Sequence, residues 1–462
     1  MKMLLISANR EKSPYPVSPI GLAYVAQALL SDGHDARVLD LCFAEDIAES
    51  IDAAVVASRP DVIGLSIRNV DNLTYPKTTS YLPYLLTVAR KLREFGIPVV
   101  AGGSGFSLFP EEMLRHLGLE YGITGEGEGA MTEFARRLCA GWDVLSTPNL
   151  AYIKDGSFRQ NPIGTVGAFA SPARGLLDNE RYFRDGGMAN IQTKRGCPFS
   201  CVYCTYPLID GSRIRCREAA SVVDEMQEML EGRGIDHFFF VDDIFNHPAR
   251  QAAGICNAII RRGLSVKWTC FATPLGMTPE LLGLMKEAGC MGVEFGTDAA
   301  SAKMLTAMGK SFTKDDIRRV SAQCAEAWLP AAHYLILGGP GETDETVAEA
   351  FAFMDEIDPR AVIAMIGVRV YPRTPMERIS VAGGMIKEGA NLLQSHFYVS
   401  PLIGVERLLS MISAHAALRP NWLVPAMDVR GRDETMTMLR KLGYRGPLWD
   451  MLGVAKSKAA NR

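Results

Sequence analysis

Little in this sequence points to a membrane, a secretory route or a charged polymer. No apolar run is long enough to span a bilayer, and the opening stretch MKMLLISANREKSPYP has too short an apolar segment for a signal peptide. The 462 residues carry a formal net charge of −3 with both signs interspersed, which excludes the basic footprint of a nucleic-acid or anionic-membrane binder. There is no internal repeat, low-complexity tract or charge block. No GxGxxG follows the first apolar run and no Walker lysine appears, which argues against an ordinary nucleotide-binding domain. Cysteine, by contrast, is not scarce. Ten cysteines without a secretion signal imply a reducing cytoplasm, where clustered thiols more often hold metal than form disulfides.

The length predicts more than one domain. Residues 1–145 alternate short apolar runs (MLLISA, ARVLDL, DVIGLSI, IPVVAGG, EYGIT) with amphipathic stretches such as GLAYVAQALLSDG. That rhythm predicts a doubly wound, Rossmann-like (flavodoxin-like) α/β domain with its ligand at the carboxyl ends of the strands. Residues 146–186 break the rhythm and predict a linker carrying a β-hairpin around Asp155-Gly156. From 187 to 375 six strand–helix units follow, enough for a partial (β/α)6 barrel. Residues 376–462 read as a mostly helical region that caps the barrel and contains no cysteine.

The stretch TKRGCPFSCVYCTYP places Cys197, Cys201 and Cys204 within eight residues, at the end of the first strand of that barrel. A structural zinc site needs four ligands, and no second Cys pair or nearby His supplies the fourth. A thioredoxin-type pair leaves Cys197 surplus. Three buried thiols without a role fit poorly in a loop that contains Gly196, Pro198 and Ser200. A four-iron cluster normally takes four thiolates, and three leave one iron open for chemistry. That iron can chelate the amino and carboxylate groups of S-adenosylmethionine (SAM).

With Tyr203 before the last cysteine, this CxxxCxxC loop resembles that of the radical SAM superfamily. The resemblance implies a [4Fe-4S] cluster on Cys197, Cys201 and Cys204, and a SAM pocket formed by the strand ends. In FFFVDDIFN, Asp242 or Asp243 is implied to hold the methionyl amine, the other capping the next helix. In GVEFGTDAAS, Glu294 and Thr297 are implied to reach the ribose or methionyl groups, a cap being the alternative role for Thr297. In LILGGPGET, Gly338 and Gly339 are implied to lie beside the adenine. VYPRTP resembles the family's YPGTP and brings Tyr371 to the SAM pocket, with Arg373 in the glycine's place. Tyr334 and Arg369, at strand ends, are candidate substrate contacts.

The first domain resembles the cobalamin (B12)-binding domain that precedes many radical SAM barrels. The segments that carry the likeness are SPIGLAYVAQALLSDGH, DVIGLSI, VVAGGSGFSLFPEEML and YGITGEGEG. The implied cobalamin contacts are Ser18, Pro19, Ile20, Gly21, Ser66, Arg68, Asn69, Gly102, Gly103, Ser104, Gly125, Glu126, Gly127 and Glu128. Asp32-Gly33-His34 imitates the start of the DxHxxG motif that supplies a cobalt-ligating histidine elsewhere. Arg37 stands where the last glycine belongs, and the segment falls at a helix stop away from the ligand edge. No histidine below cobalt is therefore expected, and the loop Arg68-Asn69-Val70 is expected to face that side.

Together the resemblances imply a cobalamin-dependent radical SAM C-methyltransferase. It would act on an unactivated carbon of a small-molecule or natural-product substrate, through a 5′-deoxyadenosyl radical and methylcobalamin. A cobalamin-dependent cyclase or rearrangement enzyme, or a barrel with a non-binding first domain, shares the same motifs. An external one-electron reductant of flavodoxin or ferredoxin type, a monomeric state and no nucleic-acid or membrane partner complete the expectation.

Overall fold

The computed structural model describes residues 1–165, 169–427 and 438–451. The five apolar runs of the first domain form β1 (Lys2–Ser7), β2 (Asp35–Asp40), β3 (Val62–Ser66), β4 (Val99–Gly102) and β5 (Tyr121–Ile123). They pair in parallel in the order β2-β1-β3-β4-β5. In β1 five consecutive residues are buried because helices cover both faces. Leu4 and Ile6 pack toward Ile51, Leu85 and Leu114, and Met3 and Leu5 toward Leu22, Leu29 and Phe134. Strand order reverses between β1 and β3, which opens a crevice at their carboxyl ends, where sheets of this type take their ligands.

The expected hairpin is present as β6 (Leu150–Lys154) and β7 (Ser157–Gln160), with Asp155 and Gly156 both at positive φ in the turn. It is not confined to a linker. β6 pairs antiparallel with β5, so the hairpin extends the first sheet to seven strands, and Leu150 and Ala151 bury themselves in its cores.

The second sheet begins with β8 (Ala189–Ile191). The cysteine loop follows, flanked by the antiparallel pair β9 (Lys194–Arg195) and β10 (Arg215–Cys216). Then come β11 (His237–Phe240), β12 (Lys267–Ala272), β13 (Cys290–Asp298), β14 (Ala331–Leu337) and β15 (Ala361–Ile366), each followed by a helix or a loop at its carboxyl end. The carboxyl-terminal region is helical, as expected, and adds short strands among its described residues. Beside the helices Pro375–Ala382 and Val405–Ala417 it contributes strands. β17 (Phe397–Tyr398) pairs with β16 (Val368–Arg369), and β18 (Trp422–Leu423) joins β15 as a seventh parallel strand. The order β18-β15-β14-β13-β12-β11-β8 leaves the barrel open between its two edge strands.

Side-chain parity separates this barrel's two faces. Phe238, Phe240, Trp268, Cys270, Val293 and Phe295 pack outward under the helices. Phe239, Phe271, Glu294 and Tyr334, their opposite-parity neighbours, point into the lumen.

The two domains share one apolar core, which runs without a break from Leu4 and Ile6 through Phe106 and Phe109 to Leu335 and Ile366. Three polar locks reinforce it. The first is a buried ion pair between Asp71 and Arg369 (3.0 Å). The second joins Glu126 to Arg215 (2.5 Å) and Glu128 to Arg195 (2.6 Å). In the third, the Arg373 guanidinium donates to the Ser107 carbonyl (2.9 Å). Arg373 adopts a left-handed backbone (φ 65°), the conformation glycine takes most readily, and its side chain reaches across the interface. No helix among the described residues is long and apolar enough to cross a membrane.

Candidate active site

The cysteine loop leaves β9 through Gly196, at φ 90°, where any Cβ would lie 2.2 Å from the Arg213 carbonyl oxygen. Only glycine permits that approach. The Cys197 N–H donates to Gly211 O (3.1 Å), Val202 N–H to Met308 O (3.1 Å) and Cys204 N–H to Cys201 O (3.1 Å). Burial pushes the Cys204 thiol up to about 12, helped by the charge that Cys201 and Cys197, within electrostatic reach of it, would carry. Thiols that repel one another as thiolates are a donor set that a cationic cluster would deprotonate and satisfy. Among the described residues no three His, Cys, Asp or Glu side chains, these thiols included, already stand grouped as metal ligands.

Tyr203 contributes its hydroxyl to the fold of the loop. It donates to Asp298 at the end of β13, and Lys310 donates to the same carboxylate (2.5 Å) and to the Tyr203 oxygen (3.3 Å). Lys310 has no motif around it in the sequence, and only the long-range contact reveals it.

The two aspartates after β11 have different roles. Asp242 is buried and saturated. It accepts from the Thr193 N–H (2.6 Å), the Thr193 hydroxyl (2.5 Å) and the Lys194 N–H (3.2 Å), with the Lys194 ammonium 3.4 Å away. Asp242 therefore staples the strand that launches the cysteine loop and is not free for a ligand. One oxygen of Asp243 is buried without a hydrogen-bond partner, and its carboxyl is pushed up to about 8 by burial and by Asp210 and Asp242. It lies within electrostatic reach of Cys197 and Cys204. An orphaned carboxyl beside the thiols fits an ammonium group.

These roles separate in experiment. Asp242→Asn is expected to lower stability by about 3 kcal/mol, because it leaves the buried Lys194 without its counter-charge. Asp243→Asn should leave the thermal midpoint nearly unchanged while weakening SAM binding to reconstituted protein about tenfold or more. Thermal unfolding and equilibrium SAM binding, run on both variants, check the pair.

Other expectations are corrected by side-chain direction. Thr297 faces the helix side of β13, not the lumen. Its hydroxyl is 2.7 Å from His333 Nδ1, and His333 Nε2 is 3.3 Å from Ser321 Oγ, whose own proton goes to the Ile317 carbonyl. The neutral ring is thus satisfied at both nitrogens, and burial pulls its pKa down to about 3. Because the folded pKa lies below the ordinary histidine value, His333 contributes stability above about pH 6.5 that is lost as pH falls toward 3. The expected slope in that window is about 1.4 kcal/mol per pH unit, and His333→Gln should flatten the acid limb of a stability–pH curve by about one proton.

Gly338 and Gly339 are both buried, and their N–H groups donate to Glu342, the second at 2.9 Å. A Cβ on Gly339 would meet Met304 and Met308 at 2.9 Å. Their small size serves this packing, and their amides are not free for an adenine. Arg369 is no substrate contact. Besides Asp71 it holds the carbonyls of Val370 (2.6 Å) and Leu392 (2.9 Å), and it stacks 4.9 Å from the Tyr371 ring. Glu294 accepts from the Tyr334 hydroxyl (2.8 Å) and from the Trp449 indole N–H (2.8 Å), so neither Glu294 nor Tyr334 is unpartnered.

On the first domain's ligand edge, Ser18 buries a hydroxyl that has no partner. It stands beside Pro19, Ile20 and Gly21 at the start of the first helix, and a Cβ on Gly21 would meet only open space. Ser66 is half-buried at the end of β3, and Gly102 has only the Ile123 carbonyl oxygen at 3.7 Å. The backbone after β3 is already committed, Ile67 O to Gly105 N–H (3.0 Å) and Arg68 O to the Ser104 hydroxyl (2.9 Å). The side chains of Arg68 and Asn69 remain. Arg68 is exposed and in no salt bridge among the described residues, within reach of Tyr15, Tyr81 and Tyr206.

Five expected contacts on this edge are taken by packing. Gly103, at φ 94°, would place a Cβ 2.6 Å from Ile67 O, so its size serves the β3–β4 contact. Gly125 donates to Ser107 Oγ (2.9 Å), and a Cβ on Gly127 would lie 3.0 Å from Val25. Glu126 and Glu128 belong to the ionic lock described above. The Asp32–His34 segment lies at the other end of the sheet: Asp32 caps the first helix and pairs with Arg136.

The sites converge. Tyr206 lies within reach of Arg68, Asp243 and Cys204. Tyr15 lies within reach of Arg68 and Glu294. The lumen presents an aromatic wall, with Phe271 edge-on to Phe239 (5.0 Å) and to Tyr334 (5.8 Å), and Tyr334 lies within reach of Tyr15.

A family model described as a B12 binding domain matches residues 6–135, and one for the radical SAM superfamily matches residues 191–354. An uncharacterized methyltransferase of Pyrococcus horikoshii is 28% identical over 84% of each chain. The tryptophan 2-C-methyltransferase of Streptomyces laurentii is 27% identical, covering 77% of this chain and 71% of that protein. Among solved structures, the radical SAM methyltransferase TsrM of Kitasatospora setae, with cobalamin and a [4Fe-4S] cluster bound, superposes with a TM-score of 0.86 at 25% identity over 97% of both chains. The same enzyme with tryptophan and a SAM analogue bound gives 0.88 at 24% identity over 99% of both.

Proposed function

The chain belongs to the cobalamin-binding radical SAM enzymes, and we propose that it is a C-methyltransferase whose small-molecule substrate is a flat aromatic compound of the indole class. The observation that carries the substrate class is the aromatic wall of Phe239, Phe271 and Tyr334, whose Tyr334 lies within reach of Tyr15, itself within reach of Arg68. Aromatic side chains prefer edge and offset contacts with another ring, which favours a flat guest over an aliphatic one. The tryptophan bound by TsrM supports the same class.

When bound, the cluster, SAM and cobalamin supply the one-electron and methyl-carrying chemistry. Cys197, Cys201 and Cys204 would hold the cluster, and Asp243 would take the SAM ammonium. Ser18, Gly21, Ser66, Gly102 and Ser104 would line the corrin edge, with Arg68 and Asn69, rather than a histidine, on the lower side of cobalt. Tyr203, Asp298 and Lys310 keep the loop in position. The shared core and its locks exclude water between the domains. An external one-electron donor serves the cluster of a protein that works as a monomer in a reducing cytoplasm.

The test is anaerobic reconstitution with iron, sulfide and hydroxocobalamin, followed by SAM, a reductant and tryptophan. A tryptophan product heavier by one methyl group is the expected result. Full iron and cobalt loading with no methylation of tryptophan or of a panel of indoles would sink the substrate class.

A further inference from the structure

We propose that Trp449, in the carboxyl-terminal segment, is the floor of the reaction chamber and fixes how deep a substrate can enter it; this rests on the barrel lumen being that chamber. The indole fills the lower lumen. It is 5% exposed, packs with Ala332, Ala361 and Ile363, and its six-membered ring would lie 2.7 Å from any Cβ at Gly292. Its N–H donates to one oxygen of Glu294 (2.8 Å), whose other oxygen accepts from Tyr334 (2.8 Å). Tyr334, above this level, and Phe271, in register with Glu294, are partly exposed, whereas Glu294, held by the indole, is sealed. The accessible lumen therefore ends where the indole begins.

The segment is fastened in place. Arg360, at the entry to β15, pairs with Asp450 (2.9 Å), and Arg440 donates to the carbonyls of Tyr444 (3.1 Å) and Gly446 (2.8 Å). A Cβ at Gly187, where the barrel begins, would strike the Arg440 guanidinium. The segment thus carries a side chain of the proposed substrate's own chemistry into the lumen and ties it to a carboxylate. Removing that side chain leaves a site shaped for an indole, with an acceptor already placed at its nitrogen.

The experiment compares the full-length wild type with Trp449→Gly and Trp449→Phe. Thermal unfolding is followed with indole and with benzofuran, which has the same shape but no N–H. Indole is expected to raise the midpoint of Trp449→Gly by several degrees more than that of the wild type, and benzofuran is expected to add less to the variant than indole does. Trp449→Gly combined with Glu294→Leu should lose the discrimination between the two probes. In a methylation assay Trp449→Gly should accept tryptophans carrying a phenyl group on the benzo ring that the wild type rejects. Trp449→Phe retains a ring to support the fold and should keep the wild-type size limit.

Equal response of wild type and Trp449→Gly to indole, or equal stabilisation by indole and benzofuran, would overturn the assignment. So would a glycine variant that binds indole yet accepts no larger ring than the wild type. A wild type that methylates no indole would sink the proposed substrate class, and the binding comparison would still decide whether Trp449 occupies an indole site.

Discussion

Replacing any one of Cys197, Cys201 and Cys204 with alanine abolishes SAM-dependent turnover and cuts the iron retained after reconstitution to a small fraction, while cobalamin occupancy persists. The expectation follows from where the ligands sit. Three thiolates are one fewer than a four-iron cluster normally receives, so the set has no spare member. Cys197 is buried at the loop's entry, Cys201 and Cys204 are half-buried, and the loop carries no fourth cysteine. Cys216 lies on β10 and is exposed. The residues on the corrin edge belong to a different sheet and supply none of the three thiols. Iron and cobalt analysis of the same sample checks both halves. A variant that kept its iron and its turnover would overturn the cluster assignment.

Arg369→Met should be the most damaging change outside that loop, costing about 3–5 kcal/mol by leaving the Asp71 carboxylate buried and uncompensated. The pair has 4% and 0% side-chain exposure, so water cannot replace the lost partner. Ser395 would still donate to Asp71 (2.7 Å), which is too little for a full charge. The carbonyls of Val370 and Leu392 would also lose their donor. Calorimetry should show one unfolding transition splitting into two as the domains uncouple, with cobalamin lost from the first. Adding Asp71→Leu to Arg369→Met should recover part of the loss, because the stranded charge is gone even though the two carbonyls remain unpaired. A single, unshifted transition in Arg369→Met would remove the lock from the account.

Much of the fold was legible because buried parallel strands write themselves as apolar runs, MLLISA, DVIGLSI and FFFV among them, each closed by a glycine or a polar turn. The cysteine loop was legible because its ligands are local. Roles fixed by distant partners were not. Arg369 finds Asp71 across 298 residues, and Glu128 finds Arg195 across 67. A carboxylate at a strand edge therefore looked like a ligand contact when it was a lock. Thr297 failed on parity: three residues beyond lumen-facing Glu294, it falls on the opposite face of an alternating strand. The choice between Asp242 and Asp243 depended on which one Thr193 and Lys194 had already claimed. No spacing marks β18 or Trp449, because both take their meaning from the barrel they complete.

The ionic and apolar seam between the domains also bears on how such proteins can be recombined. A first domain carrying Asp71, Glu126 and Glu128 matches only a barrel that supplies Arg369, Arg215 and Arg195 in register, and Arg373 must meet a carbonyl at the level of Ser107. Exchanging one half for that of a relative would bury several carboxylates opposite whatever side chains the new half happens to carry. In this chain the halves are not modules on a tether. They are two parts of one heritable unit, and a workable hybrid has to transplant the contact residues along with the domain.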